Sequence, residues 1–221
     1  MIDLHMHTVY SDGELIPAEL ARRAKAIGYK AIAFTDHADH SNVEHILSNL
    51  QKMVNDYSLY TEIEILAGVE LTHVPPALIP QLMDTARNLG AQIVVVHGET
   101  IVEPVAAGTN HAAIMAGVDV LAHPGLLTPQ DASLAADKGV YVEITTRKGH
   151  SLTNGHVLSM ARKYGFKLVI NNDAHAPGDL VSKEMRYKIA LGAGMSEQEY
   201  LQAEQNSLDI LAKAGSTRIA K

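Results

Sequence analysis

Short apolar runs alternate with segments of helical period along this chain, and the links between them are brief. Each helical segment returns the chain to the end of the sheet where it began, so such alternation implies mostly parallel strands. The runs place strands at Ile2–Leu4, Ala31–Phe34, Glu64–Leu71, Ile93–Val96, Val118–Leu121, Val140–Thr145 and Leu168–Ile170. Helices are expected over Ala18–Ile27 (with Pro17 at its start and Gly28 at its end), Val43–Val54, Ala77–Asn88, a segment closing at His111–Ala116, Asn154–Lys163, around Ala190, and Glu197–Lys213. Seven strands fall one short of the usual eight-stranded barrel, and an open doubly wound sheet is also compatible with the pattern. No linker or internal repeat interrupts it, so a single α/β domain over residues 1–221 is expected.

What stands at the strand ends favours a barrel. His5 and His7 close the first run, and Asp12 follows in Ser11-Asp12-Gly13. Asp36-His37 closes the second, Glu70 the third and His97 the fourth. Ala122-His123-Pro124 and Asp173-Ala174-His175 end two later strands. An open sheet concentrates its ligands at one switch point, whereas these residues come from the first strand to the last. A closed or nearly closed barrel brings all the C-terminal ends to one face.

Imidazole and carboxylate are natural ligands for Zn, Mn or Fe. A single His-x-His is weak evidence. Twelve His in 221 residues give roughly 0.6 such pairs by chance, so composition alone accounts for one. Position carries more weight, because His5 and His7 share a strand face and His37, His97, His123, His175 and Glu70 each follow an apolar run directly. His45, His111 and His156 lie in or beside helical segments and read as ordinary polar residues. Nine donors on one face exceed what one tetrahedral site uses, so two or three divalent ions are expected.

The other totals exclude whole classes. With no cysteine there are no disulfides, thiolate sites or Cys nucleophile, which fits a cytoplasmic protein. The first strand begins at Ile2, which leaves no room for a signal peptide, and no apolar run is long enough for a membrane helix. A formal net charge of −7 argues against nucleic acid as a partner.

In order, spacing and residue type, His5-x-His7 with Asp12, Thr35-Asp36-His37, Ala122-His123-Pro124 and Asp173-x-His175, with Glu70 and His97 between them, resemble the polymerase and histidinol phosphatase (PHP) domain family. The resemblance runs from the first strand to about Pro177. It implies a distorted (β/α)7, TIM-like barrel with up to three metal ions. On that pattern His5, His7, Glu70 and Asp173 would hold one ion. Glu70, His97 and His123 would hold a second with Glu70 bridging, and Asp12, His37 and His175 a third. Asp12 stands where some members of the family use a histidine.

Clustered divalent ions lower the pKa of a coordinated water and clamp phosphoryl oxygens. The expected function is therefore a phosphoesterase, in which a metal-bound hydroxide attacks a small phosphomonoester. A small phosphorylated metabolite is the expected partner. Arg147 and His150 follow the sixth strand and are candidate phosphate contacts; Arg186 and Lys183 are weaker ones. Asp36 suits a role orienting an imidazole or a turn carboxylate. Two rivals remain: a metal-dependent amidohydrolase, and a non-catalytic PHP-type module of a nucleic-acid-processing assembly.

Overall fold

Seven main strands lie side by side in the order in which they occur along the chain, every neighbouring pair parallel. In chain order the elements are β1 (Ile2–Met6), α1 (Pro17–Ile27), β2 (Ala31–Phe34), β3 (His37–Ala38), α2 (Val43–Thr61), β4 (Glu64–Leu71), α3 (Ile79–Asn88) and β5 (Ile93–His97). There follow α4 (Thr109–Ala116), β6 (Val120–Ala122), α5 (Pro129–Lys138), β7 (Tyr141–Thr145), α6 (Asn154–Tyr164), β8 (Leu168–Asn171), α7 (Lys183–Gly192) and α8 (Glu197–Lys213). This computed structural model describes residues 1–215, so the last six residues of the expected 1–221 domain lie outside it. All seven expected strands are present, and the sheet curls into a nearly closed, TIM-like barrel.

Two features depart from the sequence reading. Two-residue β3 pairs with the end of β4, with His37 in register with Glu70. Helix α5 was not expected, although its signals are conventional. The Thr128 side chain caps the Asp131 amide, Pro129 opens the helix, and Gly139 ends it in the left-handed region.

The apolar residues fall into two layers. Ile32, Phe34, Ile65, Val94, Val96, Leu121, Val142 and Ile170 join the core shared with the surrounding helices. Leu4, Ala31, Ala33, Leu66, Ile93, Val95, Val120 and Val169 fill the barrel, where Ile210 and Leu211 of α8 pack on them. The period of two along each strand separates these sets.

The seam between β1 and β8 is closed largely by side chains. Met6 forms one bridge with Ala174, and Asn171 Oδ1 accepts the Leu4 amide at 2.9 Å. Asp3 Oδ2 accepts the Asn172 amide at 2.8 Å. Arg186 then reaches in from α7, 3.3 Å from Asp3 and 2.9 Å from Glu204, and donates to the Ile170 carbonyl. Arg186 is fully buried, so this weaker phosphate candidate is a structural residue of the seam, and Lys183 lies exposed. Burial pushes the Asp3 carboxyl up to about 7, with Arg186 the strongest opposing influence. Among the described residues no helix is long and apolar enough to cross a membrane.

Candidate metal centre

Local backbone geometry aims the donors into one cleft at the C-terminal ends of the strands. The β1–β2 register is irregular between Asp3 and Met6. There Leu4 packs inside the barrel, and His5, the next residue, also reaches the interior carboxylates of Glu143 and Glu70. Strict alternation would separate the two faces; a bulge re-aims one of them. Asp173 (φ 52°) and His123 (φ 21°) have positive φ, an uncommon backbone state that concentrates at functional sites. Gly98 permits the close approach of the loops after β5 and β6, since a Cβ there would lie 2.3 Å from the Ala122 carbonyl oxygen.

Around β1, His5 Nε2 is 3.2 Å from Glu70 Oε1 and 3.6 Å from Asp173 Oδ1. His7 Nε2 is 3.2 Å from Asp173 Oδ1 and 3.8 Å from Glu70 Oε2. His123 Nε2 faces the same two carboxylates at 3.6 and 3.5 Å. At the outer edge, Asp12 Oδ1 lies 3.5 Å from His37 Nε2 and 3.2 Å from His175 Nε2. His37 also lies 2.7 Å from Glu70 Oε2 through Nδ1. Four sets of donor atoms converge closely enough to share an ion: His5, His7 and Glu70; His5, His123 and Asp173; His7, Asp12, His37 and His175; and His97, His123 and His150.

The donor set fits divalent ions on evidence independent of its geometry. His5 Nε2, both ring nitrogens of His7, Glu70 Oε1 and His123 Nδ1 are buried without a hydrogen-bond partner. Each such group costs about 1–3 kcal/mol unless something satisfies it. Burial works against a charged His5, yet Glu143, Glu70 and Asp173 together hold it well above its ordinary value. Burial, reinforced by Glu70 and Glu143, pushes Asp173 well above the usual carboxylate range. The inner carboxylates therefore favour a proton or a metal ion beside them, while burial and neighbouring imidazoles hold His7 and His123 well below the ordinary imidazole value.

Arg147 lies at the rim. Its Nη1 donates to the Asp173 carbonyl at 3.0 Å and is 2.7 Å from His175 Nδ1, while Nε is 3.5 Å from Asp173 Oδ2. His150 is buried and sits with His97 and His123. Asp36 accepts from the Thr8 amide (2.7 Å), the Thr8 hydroxyl (2.8 Å) and the Ser11 hydroxyl (2.8 Å). It fastens the loop that carries Asp12, as a turn carboxylate would. The three histidines read as ordinary have partners of their own: His45 lies 3.4 Å from Asn49 Nδ2, His111 bonds Asp131 and His156 the Leu127 carbonyl.

Sequence reasoning missed Glu143, which accepts from His5 Nδ1 at 2.8 Å. Its signal was a lone charge inside the apolar run Tyr141–Thr145. It also missed Thr72, 2.7 Å from His37 Nδ1, Thr100, 2.8 Å from His150 Nδ1, and Glu103, 3.1 Å from His97 Nε2. Nothing in the sequence marks those three.

The fold is a parallel, TIM-like α/β barrel whose imidazoles and carboxylates converge on the C-terminal face, where they could hold divalent ions. The chain belongs to the PHP domain family, whose sequence model matches residues 3–212. An uncharacterized protein of Methanocaldococcus jannaschii is 49% identical over 199 residues, covering 89% of this chain and 91% of that one. Ribonuclease P protein component 3 of Methanosarcina barkeri is 28% identical over 217 residues, 91% of this chain and 84% of that one. Among solved structures, a chain of archaeal ribonuclease P with mature tRNA superposes with a TM-score of 0.72 at 16% identity, over 97% of this chain and 91% of that one.

These relatives overturn the expected partners, a small phosphorylated metabolite with nucleic acid excluded. Proteins similar along most of this chain are named as protein components of ribonuclease P, and the superposed chain comes from ribonuclease P with mature tRNA. The exclusion rested on a net charge of −7, which averages over the whole surface. Binding depends on the local distribution of charge.

Proposed function

We propose that this protein is a metal-dependent phosphoesterase acting on a phosphate ester of a nucleic acid. The observation that carries the reading is the overlap of four donor sets in one cleft, with five of their buried atoms lacking hydrogen-bond partners. Two or three divalent ions bound there would supply an activated water and neutralise the phosphoryl oxygens. The chain itself provides the rest: Glu143 fixes the His5 ring, Thr72 the His37 ring, and the Arg147 guanidinium is placed to hold a non-reacting phosphate oxygen.

The cleft bordered by Asp12, His37, His97, Arg147 and His175 measures about 240 Å³. That is smaller than the ~300–1,000 Å³ of sites that enclose a whole small ligand. It suits a phosphoryl group whose leaving group extends outward, as in a nucleic acid. Glu103 and Glu143 add two carboxylates to the three expected at the site. The cleft with its ions would therefore retain less positive charge than a dianionic monoester calls for, which brings a singly charged diester within range.

The test reconstitutes metal-free protein with Mn, Zn, Fe or Co separately. Bis-p-nitrophenyl phosphate, p-nitrophenyl phosphate, nucleotides and 5′-phosphorylated RNA are assayed beside amide and lactone substrates. Phosphoester turnover that needs a metal supports the proposal, and turnover of amides or lactones alone would replace it with the amidohydrolase reading. The similarity to ribonuclease P component 3 favours a second reading, a subunit that binds its partners without catalysis. Metal-replete protein inert on every phosphoester would select it.

A further inference from the structure

The loops after β5, β6 and β7 build one corner of the cleft with more donors than the sequence motifs account for. His97, His123 and His150 are each 5% exposed or less, and their ligand atoms lie within 4.8 Å of one another. Glu103 reaches over them from the loop after β5. One of its oxygens is 3.1 Å from His97 Nε2 and the other 3.4 Å from His150 Nε2. His97 and His150 thus turn the same nitrogen towards one carboxylate.

Their other nitrogens are already engaged. His97 Nδ1 lies 3.1 Å from the Gly98 carbonyl, to which it can only donate. His150 Nδ1 lies 2.8 Å from the Thr100 hydroxyl. Donation through Nδ1, which the Gly98 carbonyl imposes on His97 and the Thr100 hydroxyl can accept from His150, leaves the Nε2 lone pair free to ligate. His123 stacks on His150 with ring centroids 4.2 Å apart, and its buried Nδ1 has no hydrogen-bond partner. Glu70, the bridging ligand suggested by the family pattern, approaches His123 at 3.6 Å, whereas the carboxylate paired with His97 is Glu103.

We propose that His150 and Glu103 complete, with His97 and His123, a four-donor site for one divalent ion of the zinc, cobalt or manganese type. Three imidazoles and a carboxylate match the donor number and type of such ions. His150 is then a metal ligand, and phosphate binding falls to Arg147. The inference rests on reading the cleft as a metal centre.

Metal-free wild type, His150→Gln and Glu103→Gln are titrated with Co²⁺, reading stoichiometry by elemental analysis, affinity by chelator competition and ligand geometry by visible absorption. Each substitution should weaken one Co²⁺ site at least about tenfold and change its absorption, the remaining ions being held as before. Thr100→Val, which removes only the partner of His150 Nδ1, should weaken the same site and serves if either variant fails to fold. Wild type that loads with Co²⁺ while all three variants match it in number, affinity and spectrum would overturn this assignment alone. Wild type that binds no ion would overturn the metal-centre reading and this site with it.

Discussion

His5 Nδ1 lies 2.8 Å from Glu143 Oε2, a contact made in the barrel interior between β1 and β7 with both side chains fully buried. Glu143 also accepts from Asn171 Nδ2 at 2.9 Å, so one carboxylate fixes the imidazole ring and ties it to β8. A carboxylate behind a ligating imidazole sets its tautomer and raises its basicity. Glu143→Gln keeps the shape and removes the charge. It should lower metal affinity about 10–100-fold, read by chelator competition. Unchanged affinity would make the contact structural only.

Asp173→Asn should reduce phosphoester hydrolysis by at least about a hundredfold, the upper end of the loss seen for residues that only orient ligands. An amide oxygen is a neutral and weaker donor than a carboxylate. The variant is a fair test of chemistry because Asn tolerates the positive φ of 52° that this position adopts. Turnover near wild type with an unchanged Tm would show that Asp173 does not ligate.

Arg147→Ala should lower kcat/KM about ten- to a hundredfold, the worth of a charge-assisted hydrogen bond of about 1.5–3 kcal/mol. Assays over a range of substrate concentrations should accompany a metal count. Loss of metal in this variant would mean that the guanidinium acts by bracing Asp173 and His175, which it also touches, instead of by holding phosphate. A value within about twofold of wild type would make it a rim charge of no consequence.

Arg186→Met addresses the seam. It leaves Asp3 and Glu204 without their shared cation in the interior, and stranding one side of a buried pair costs about 3–5 kcal/mol. Chemical denaturation should show that loss well above the Asp3 value of about 7, where the carboxylate is ionised, and a smaller one below it. A change under about 1 kcal/mol would mean that Asp3 takes up a proton at little cost, as its value of about 7 allows.

The order of strands and helices and the parallel sheet were legible in the chain because each follows from local apolar period and its punctuation. So was the convergence of His5, His7, Asp12, His37, Glu70, His97, His123, Asp173 and His175 on one face, since in a parallel barrel the end of a strand fixes where its last residue goes. Helix α5 was legible too, in Thr128, Pro129 and Gly139, and went unread. Which donors lie close enough to share an ion was not local information. His37 meets Glu70 because of the register of β3 on β4, and Glu103 meets His97 and His150 because three loops fold over one another. Arg186 shows the same limit: a basic residue ten or so positions beyond the last motif reads as a phosphate contact. Only the packing of α7 across the β1–β8 seam turns its side chain into the core. Net charge misled for the same reason, being a sum over the chain where recognition depends on how the fold distributes it.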